Sequence, residues 1–351
     1  MTAIRPFGLV RGLVIVGALA AFPFVFNEHW LVNIGVFTLM YAALATAWNM
    51  FAGYSGYISL GHVAFFGIGA YTVANTFSVS SPLRGSAYSF TSHAFMSIGS
   101  GYRPFYVLPL VGLAVALLSV PIGWVALRTR AITFAIVTLT LLFVFQNLAF
   151  NLRGVTNGSS GLSVPTPNFP VATYELPFYF AMLGVLVLGL LLSWHIGRNK
   201  LGLMLFAIRE DEEKARGLGV RTTGVKLVTF ALSAGLTAMA GGVWAYYLTY
   251  IYPQFAVDPL VMIGSVVPVF LGGRGTLWGP VLGALILVPA QQYMAYRLGA
   301  SELYLVGYAA VFVVILLVLP RGILPSLGGA YERWRYRGAR VTVQPEEVPA
   351  A

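Results

Sequence analysis

The chain has no cysteine in its 351 residues, which excludes disulfides and thiolate chemistry and leaves the redox compartment unmarked. Charge is also scarce. Only 9% of residues are Asp, Glu, Lys or Arg, and none lies near the middle of a long apolar run. A transporter driven by protons or sodium usually keeps ionisable groups there, at about 2.5–3.5 kcal/mol each on insertion scales, so their absence argues against ion coupling within this chain. The Gly-x-x-x-x-Gly-Lys-[Ser/Thr] loop of an ATPase is missing, as are HExxH, Gly-x-Ser-x-Gly and CxxC. The four histidines, His29, His62, His93 and His195, are scattered without ligand-like spacing, and Glu28, Glu175, Asp258 and Glu302 show no pairing. No metal, cofactor or catalytic residue is therefore expected, and any energy source sits on another subunit.

What the chain has in quantity is apolar sequence: 58% hydrophobic residues, 39 glycines and a mean hydropathy of +0.81, outside the range of soluble proteins. A helix needs about 20 apolar residues to cross the hydrocarbon core. On that ruler spans fall near 9–26, 31–52, 57–77, 105–127, 131–150, 177–196, 226–248, 259–272, 277–296 and 303–320, with the first and eighth the least regular. No alternating ten-residue pattern of a β-barrel is present. The expected fold is an all-α, polytopic transmembrane helical bundle of about ten spans, with residues 1–325 forming the membrane domain and 326–351 a basic tail.

The net charge of +10 is set by topology. With a cytoplasmic N-terminus, 17 of the 21 Lys and Arg fall inside, leaving Arg84, Arg103, Arg153 and Arg297 outside. Both termini are then cytoplasmic. Ala18-Leu19-Ala20 resembles a signal-peptidase site, but cleavage would leave an odd number of spans and spoil the bias, so this stretch is read as a retained first helix. Arginines alternate with aromatics in Tyr331 to Arg340, as in an anchor on an anionic lipid leaflet, and no nucleic-acid partner is expected.

Two turn-rich segments, Ser78 to Pro104 and Asn151 to Leu176, are either short interfacial elements or plain connectors. Glycine concentrates at two places where helices should break: Gly53 to Gly69, containing Ser55, Ser59, Gly61 and His62, and Phe270 to Pro280, containing Gly272, Gly273 and Thr276. Interrupted apolar segments in two halves point to a transport pathway, because irregular backbone survives at membrane depth only beside protein or a wet cavity. Close packing of small residues gives the same composition. A five-position echo, Gly56-x-x-Ser59-Leu60 and Gly273-x-x-Thr276-Leu277, is too short to prove duplication. His62, the one titratable group near a span interior, reads as a packed, hydrogen-bonded residue rather than a proton relay.

Eleven of the charged residues form one island, Arg198 to Lys226, with Glu210, Asp211, Glu212 and Glu213 consecutive. The pattern predicts a short amphipathic helix, Leu203 to Leu218, pressing Leu205, Ile208 and Leu218 into a partner's groove with Arg209, Glu210, Glu213 and Arg216 at the rim. A solvated loop face is the alternative.

Three stretches then carry a resemblance: Trp48 to Tyr71 with Asn49 at its start, Ala207 to Lys226 (AIREDEEKARGLGVRTTGVK), and Val269 to Ala284 (VFLGGRGTLWGPVLGA). In this order, and over about residues 33–324, the chain resembles the longer of two permease types in bacterial branched-chain amino acid ABC importers. The resemblance implies a multi-pass inner-membrane permease subunit working with a second related permease, two ATP-binding cassette subunits and an extracytoplasmic binding protein that selects the amino-acid substrate. It implies ATPase coupling through Arg209, Glu210, Asp211, Glu213, Ala215 and Gly219; Glu213-Lys214-Ala215-x-x-x-Gly219 keeps the Glu-Ala-Ala-x-x-x-Gly spacing of importer permeases with lysine for the first alanine. Candidate pathway residues are Asn49, Gly53, Ser55, Ser59, Gly61, His62, Gly272, Gly273 and Thr276. Related importers for urea, short amides or nucleosides remain an alternative, as does a facilitator or secondary transporter.

Overall fold

The computed structural model describes residues 7–26, 28–77 and 101–298, together with 306, 307, 309, 310, 313 and 322–327. The long helices are α1 (Phe7–Val25), α2 (His29–Trp48), α3 (His62–Phe77), α4 (Arg103–Ala126), α5 (Ala131–Asn151) and α6 (Leu176–Arg198). Two short ones, α7 (Lys200–Glu210) and α8 (Glu212–Gly217), lead into α9 (Thr222–Leu248), α10 (Pro259–Gly272) and α11 (Gly279–Leu298). Among the described residues, six helical segments, at 29–53, 103–126, 131–151, 171–198, 222–248 and 253–272, are long and apolar enough to cross a membrane. The chain is a helical transmembrane bundle, in which each helix satisfies its own backbone and needs no water to do so. Apart from residues 306, 307, 309, 310 and 313, the expected span at 303–320 lies outside the described residues, as do the Ser78–Pro104 segment up to residue 100 and the basic tail from 328 onward.

Helix α9 is the axis of the bundle, with 78% of its apolar stretch buried, and it packs along both α3 and α4. Small residues bring the backbones together. A Cβ on Gly241 would stand 2.0 Å from the Phe66 carbonyl oxygen, and one on Gly69 2.1 Å from that of Ala238. Helix α2 lies against α6, α9 and α11, and α10 against α11. Helix α5 is peripheral, with 17% of its stretch buried.

Local chemistry fixes the ends. Asp258 accepts a hydrogen bond from the Leu260 amide at 2.8 Å, with Pro259 in the first turn of α10. Within the turn-rich segment at 151–176, Leu162–Ser163 (β1) pairs antiparallel with Tyr250–Ile251 (β2), tying it to the end of α9.

Two expectations need correction. The span placed at 57–77 begins as helix only at His62: Gly56 has φ +83°, and residues 56–61 run as non-helical chain stapled to its neighbours. The charged island is not one helix over 203–218, because Asp211 is extended (φ −160°, ψ 106°) and splits it into α7 and α8. An extended N-cap residue is what a new helix start requires.

Candidate functional site

Helix α2 ends in a π turn, Asn49–Gly53, a wide turn that recurs at functional sites. Beyond it, the Ser55 hydroxyl donates to the Phe51 carbonyl (2.7 Å) and accepts from the Tyr57 amide (3.2 Å), turning the chain out of the helix. The Trp48 indole donates to the Ser59 carbonyl at 2.7 Å, and the Leu60 amide donates to the Thr138 hydroxyl at 3.0 Å. Backbone groups of the first break are thus met by Trp48 of α2, Thr138 of α5 and Ser55 of the break itself, as burial demands.

The second break follows α10. Gly273 (φ +120°) and Gly275 (φ +79°) adopt conformations that L side chains rarely hold, and a Cβ on Gly272 would stand 1.7 Å from the Gly279 carbonyl oxygen. The Thr276 hydroxyl donates to the Gly273 carbonyl (2.7 Å) and accepts from the Gly279 amide (3.1 Å), closing the turn into α11.

These two breaks, more than 200 residues apart in sequence, are one structure. The carboxamide of Asn49 donates to the Thr276 carbonyl at 2.9 Å and accepts from the Gly275 amide at 2.8 Å. Arg274 donates to the Ala52 carbonyl at 2.9 Å. Of the predicted pathway residues, Asn49, Gly53, Gly272, Gly273 and Thr276 therefore meet.

Ser55, Ser59, Gly61 and His62 belong to the first break and pack the other way. His62 joins the Ser59 hydroxyl (2.7 Å) and the Ser233 hydroxyl (2.7 Å), and Ser233 donates to the Ala47 carbonyl (2.6 Å). Phe51, Phe65 and Phe230 surround the imidazole. A Cβ on Gly61 would lie 2.5 Å from the Thr138 carbonyl oxygen, where α3 starts against α5. Among Trp48, His62, Thr237 and Ser265 there is a cavity of about 10 Å³, room for one water at most.

The charged island docks on the same junction. Arg209, at the end of α7, donates to the Gly53 carbonyl at 3.0 Å and lies against Gly56, whose missing Cβ would be 3.2 Å from the arginine Cγ. Burial, and then the neighbouring Arg209, lower the Arg274 guanidinium from its ordinary value. Below them Glu212 takes three donors: Tyr57, whose hydroxyl reaches Oε2, Lys226 at 2.8 Å and Arg216 at 3.3 Å. The Lys226 ammonium also lies 3.9 Å from the centre of the Tyr57 ring. Desolvation raises the Glu212 pKa, but the hydrogen bonds from Lys226 and Tyr57 outweigh it and hold the carboxylate below its ordinary range.

The remaining predicted coupling residues divide by exposure. Asp211 caps α8 through the Lys214 amide at 3.0 Å, and that bond first, then the Lys214 side chain, lowers its pKa. Gly219 (φ +86°) ends α8, and Ala215 is buried beneath it. Glu210 is exposed, and Glu213 is exposed with Arg130 at 3.4 Å. Leu205 and Ile208 are buried within this chain rather than free for a partner, whereas Leu203 and Leu218 are exposed, the latter at 85%. The groove-binding face predicted for the island is corrected accordingly.

Tyr57, Glu212, Lys226 and Arg274 were not among the predicted site residues. Lys226 carried the one usable signal, a charge in the first turn of a long apolar span, a position that needs a partner. Among the described residues no group of His, Asp and Glu is placed to hold a metal.

Glycine-cradled breaks in two halves of a membrane bundle are thus joined to each other and to a charged helical pair. Residues 30–319 match the family described as branched-chain amino acid transport system / permease component. The chain belongs to this permease family. It is 29% identical over 334 residues to the high-affinity branched-chain amino acid transport system permease proteins LivM of Salmonella typhimurium and of Escherichia coli, covering 87% of this chain and 72% of each of those proteins. A shorter match, 36% identity over 109 residues, 29% of this chain and 31% of the relative, is to the autoinducer 2 import system permease protein LsrC of Salmonella paratyphi B. No solved structure matches the chain.

Proposed function

We propose that this permease subunit serves an ATP-driven importer of branched-chain amino acids, and that α7 and α8 carry the stroke of a separate ATPase into the two breaks. The similarity to LivM spans most of the chain, whereas that to the autoinducer permease covers less than a third, which favours the amino-acid substrate. The partners are a second related permease, two ATP-binding cassette subunits and an extracytoplasmic binding protein. The chain lies in a bacterial inner membrane with both termini cytoplasmic, an orientation supported by the charge bias.

One observation carries the mechanism: the island ends on the first break, with Arg209 on Gly53 and Glu212 on Tyr57. Motion of an ATPase docked on exposed Glu210, Glu213 and Leu218 reaches the 53–61 segment through these two contacts. Asn49 and Arg274 pass it to the 272–279 turn, and so to α10 and α11. Packed elements with two arrangements switch in this way without deforming continuously. Asn49, Ser55, Ser59, His62 and Thr276 are the polar groups that line the opened path, and Gly53, Gly61, Gly272 and Gly273 permit the backbone to move there.

The test is uptake of radiolabelled leucine by proteoliposomes holding the complete set of subunits. Uptake requires ATP and every subunit. Ion-driven uptake by this chain alone overturns the proposal.

A further inference from the structure

A cavity of about 360 Å³ opens between α1, α2, α6 and α11. Its walls include Leu19 and Phe22 of α1, Leu31 and Ile34 of α2, and Leu285 and Pro289 of α11. Along α2 it runs from Trp30 to Leu39, about 14 Å at the rise of about 1.5 Å per residue, close to half of a hydrocarbon core about 30 Å thick. The slot is as deep as one leaflet.

Two hydroxyls reach the cavity below its rim, and both are already used. Thr38 donates to the Ile34 carbonyl at 2.7 Å. Tyr179 donates to the Leu19 carbonyl at 2.7 Å, the acceptor that Pro23, four residues on and without an N–H, leaves open in α1. The ammonium and carboxylate of an amino acid would find no side-chain partner there, so the cavity is no part of a path for such a substrate. A hydrocarbon chain needs none.

The rim carries different chemistry. Trp30 and Tyr296, both exposed, stack with 6.3 Å between ring centres, beside exposed Tyr293. Aromatic side chains of this kind sit at the level of lipid headgroups. Arg297 donates through Nε to the hydroxyl of Tyr293, a lining residue, at 3.1 Å, which ties the guanidinium to the mouth of the slot. Among the described residues no carboxylate lies within 4 Å of it, and Glu175, at the start of α6, is taken by His29 at 3.1 Å. The terminal nitrogens of Arg297 match the oxygens of a phosphate.

We propose that this cavity binds one acyl chain of an anionic phospholipid whose phosphate is held by Arg297. A helix face that merely touches the bilayer has no enclosed slot and does not discriminate headgroups. Here the slot takes the chain, and the uncompensated cation selects the headgroup.

The purified full chain is reconstituted into phosphatidylcholine vesicles containing a trace of phosphatidylglycerol with a diazirine on its acyl chain, then irradiated and digested. Adducts are expected to concentrate on residues 30–39 and 285–293 over the exposed side of α4. Unlabelled phosphatidylglycerol should compete better than phosphatidylcholine or a free fatty acid, and Arg297→Gln should cut that preference by about fivefold. Ile34→Trp, which fills the slot, should remove the adducts from it. Labelling spread evenly over α4 and the cavity walls overturns the site, as does unchanged labelling in folded Ile34→Trp. Equal competition by phosphatidylcholine or the fatty acid, or an unchanged preference in Arg297→Gln, overturns the headgroup assignment. Arg297 is exposed, so its variant and the peptide map of the parent decide the matter even where Ile34→Trp does not fold.

Discussion

The Glu212 carboxylate holds the Lys226 ammonium at 2.8 Å, joining the short helix α8 to the first turn of α9, and Lys226 is only 1% exposed. A buried charge is tolerable only when paired, and here the pair is completed by the Tyr57 hydroxyl and ring. The contact thus unites the island, the axial helix and the first break.

Lys226→Met takes away one of the three donors to Glu212 and is expected to destabilise the purified chain by about 1.5–3 kcal/mol, whereas Lys226→Met with Glu212→Gln recovers much of the loss. Thermal unfolding midpoints of the two variants in detergent decide this; an unchanged midpoint for Lys226→Met contradicts the account.

The same pair sets a pH dependence. The Glu212 pKa is lowered in the folded chain, so its contribution is present above the ordinary carboxylate range and is lost as pH falls through the lowered value. The midpoint of the parent should therefore drop on acidification through and below pH of about 4. The double variant Lys226→Met, Glu212→Gln should drop less, and parallel curves would remove Glu212 from the explanation.

The breaks predict a contrast between glycines. Gly272→Ala puts a methyl 1.7 Å from a backbone oxygen, a clash that only backbone movement relieves, and should cost more than about 3 kcal/mol. Gly184→Ala, in α6 with nothing within 4 Å, should be neutral or stabilising by up to about 1 kcal/mol. Yield and midpoint of the two folded variants in detergent test this; equal behaviour would mean that the second break adapts freely.

The sequence made the class and six of the expected spans legible because long uncharged runs have one physical solution in a membrane. The breaks were legible as glycine clusters around Gly53 and Gly272. That Asn49 joins them was not, since a contact across more than 200 residues leaves no local pattern. The island showed its charge but not its direction. Periodicity allowed Leu205 and Ile208 to face a partner, while α7 packs against α6 and α9 and buries them within the chain. Glu212 could not be told from its three acidic neighbours, because only the fold brings Tyr57 and Lys226 to it.

The central claim is that contact between α8 and the first break transmits the ATPase stroke. Tyr57 is 6% exposed and so cannot act by touching a docked ATPase, and Tyr57→Phe removes only the hydroxyl that meets Glu212. The decisive measurement is leucine taken up per ATP hydrolysed, in proteoliposomes carrying the complete importer. A hydrogen bond to a charged group contributes about 1.5–3 kcal/mol, so the account predicts a fall of roughly tenfold or more in that ratio with ATP hydrolysis retained. An unchanged ratio contradicts it.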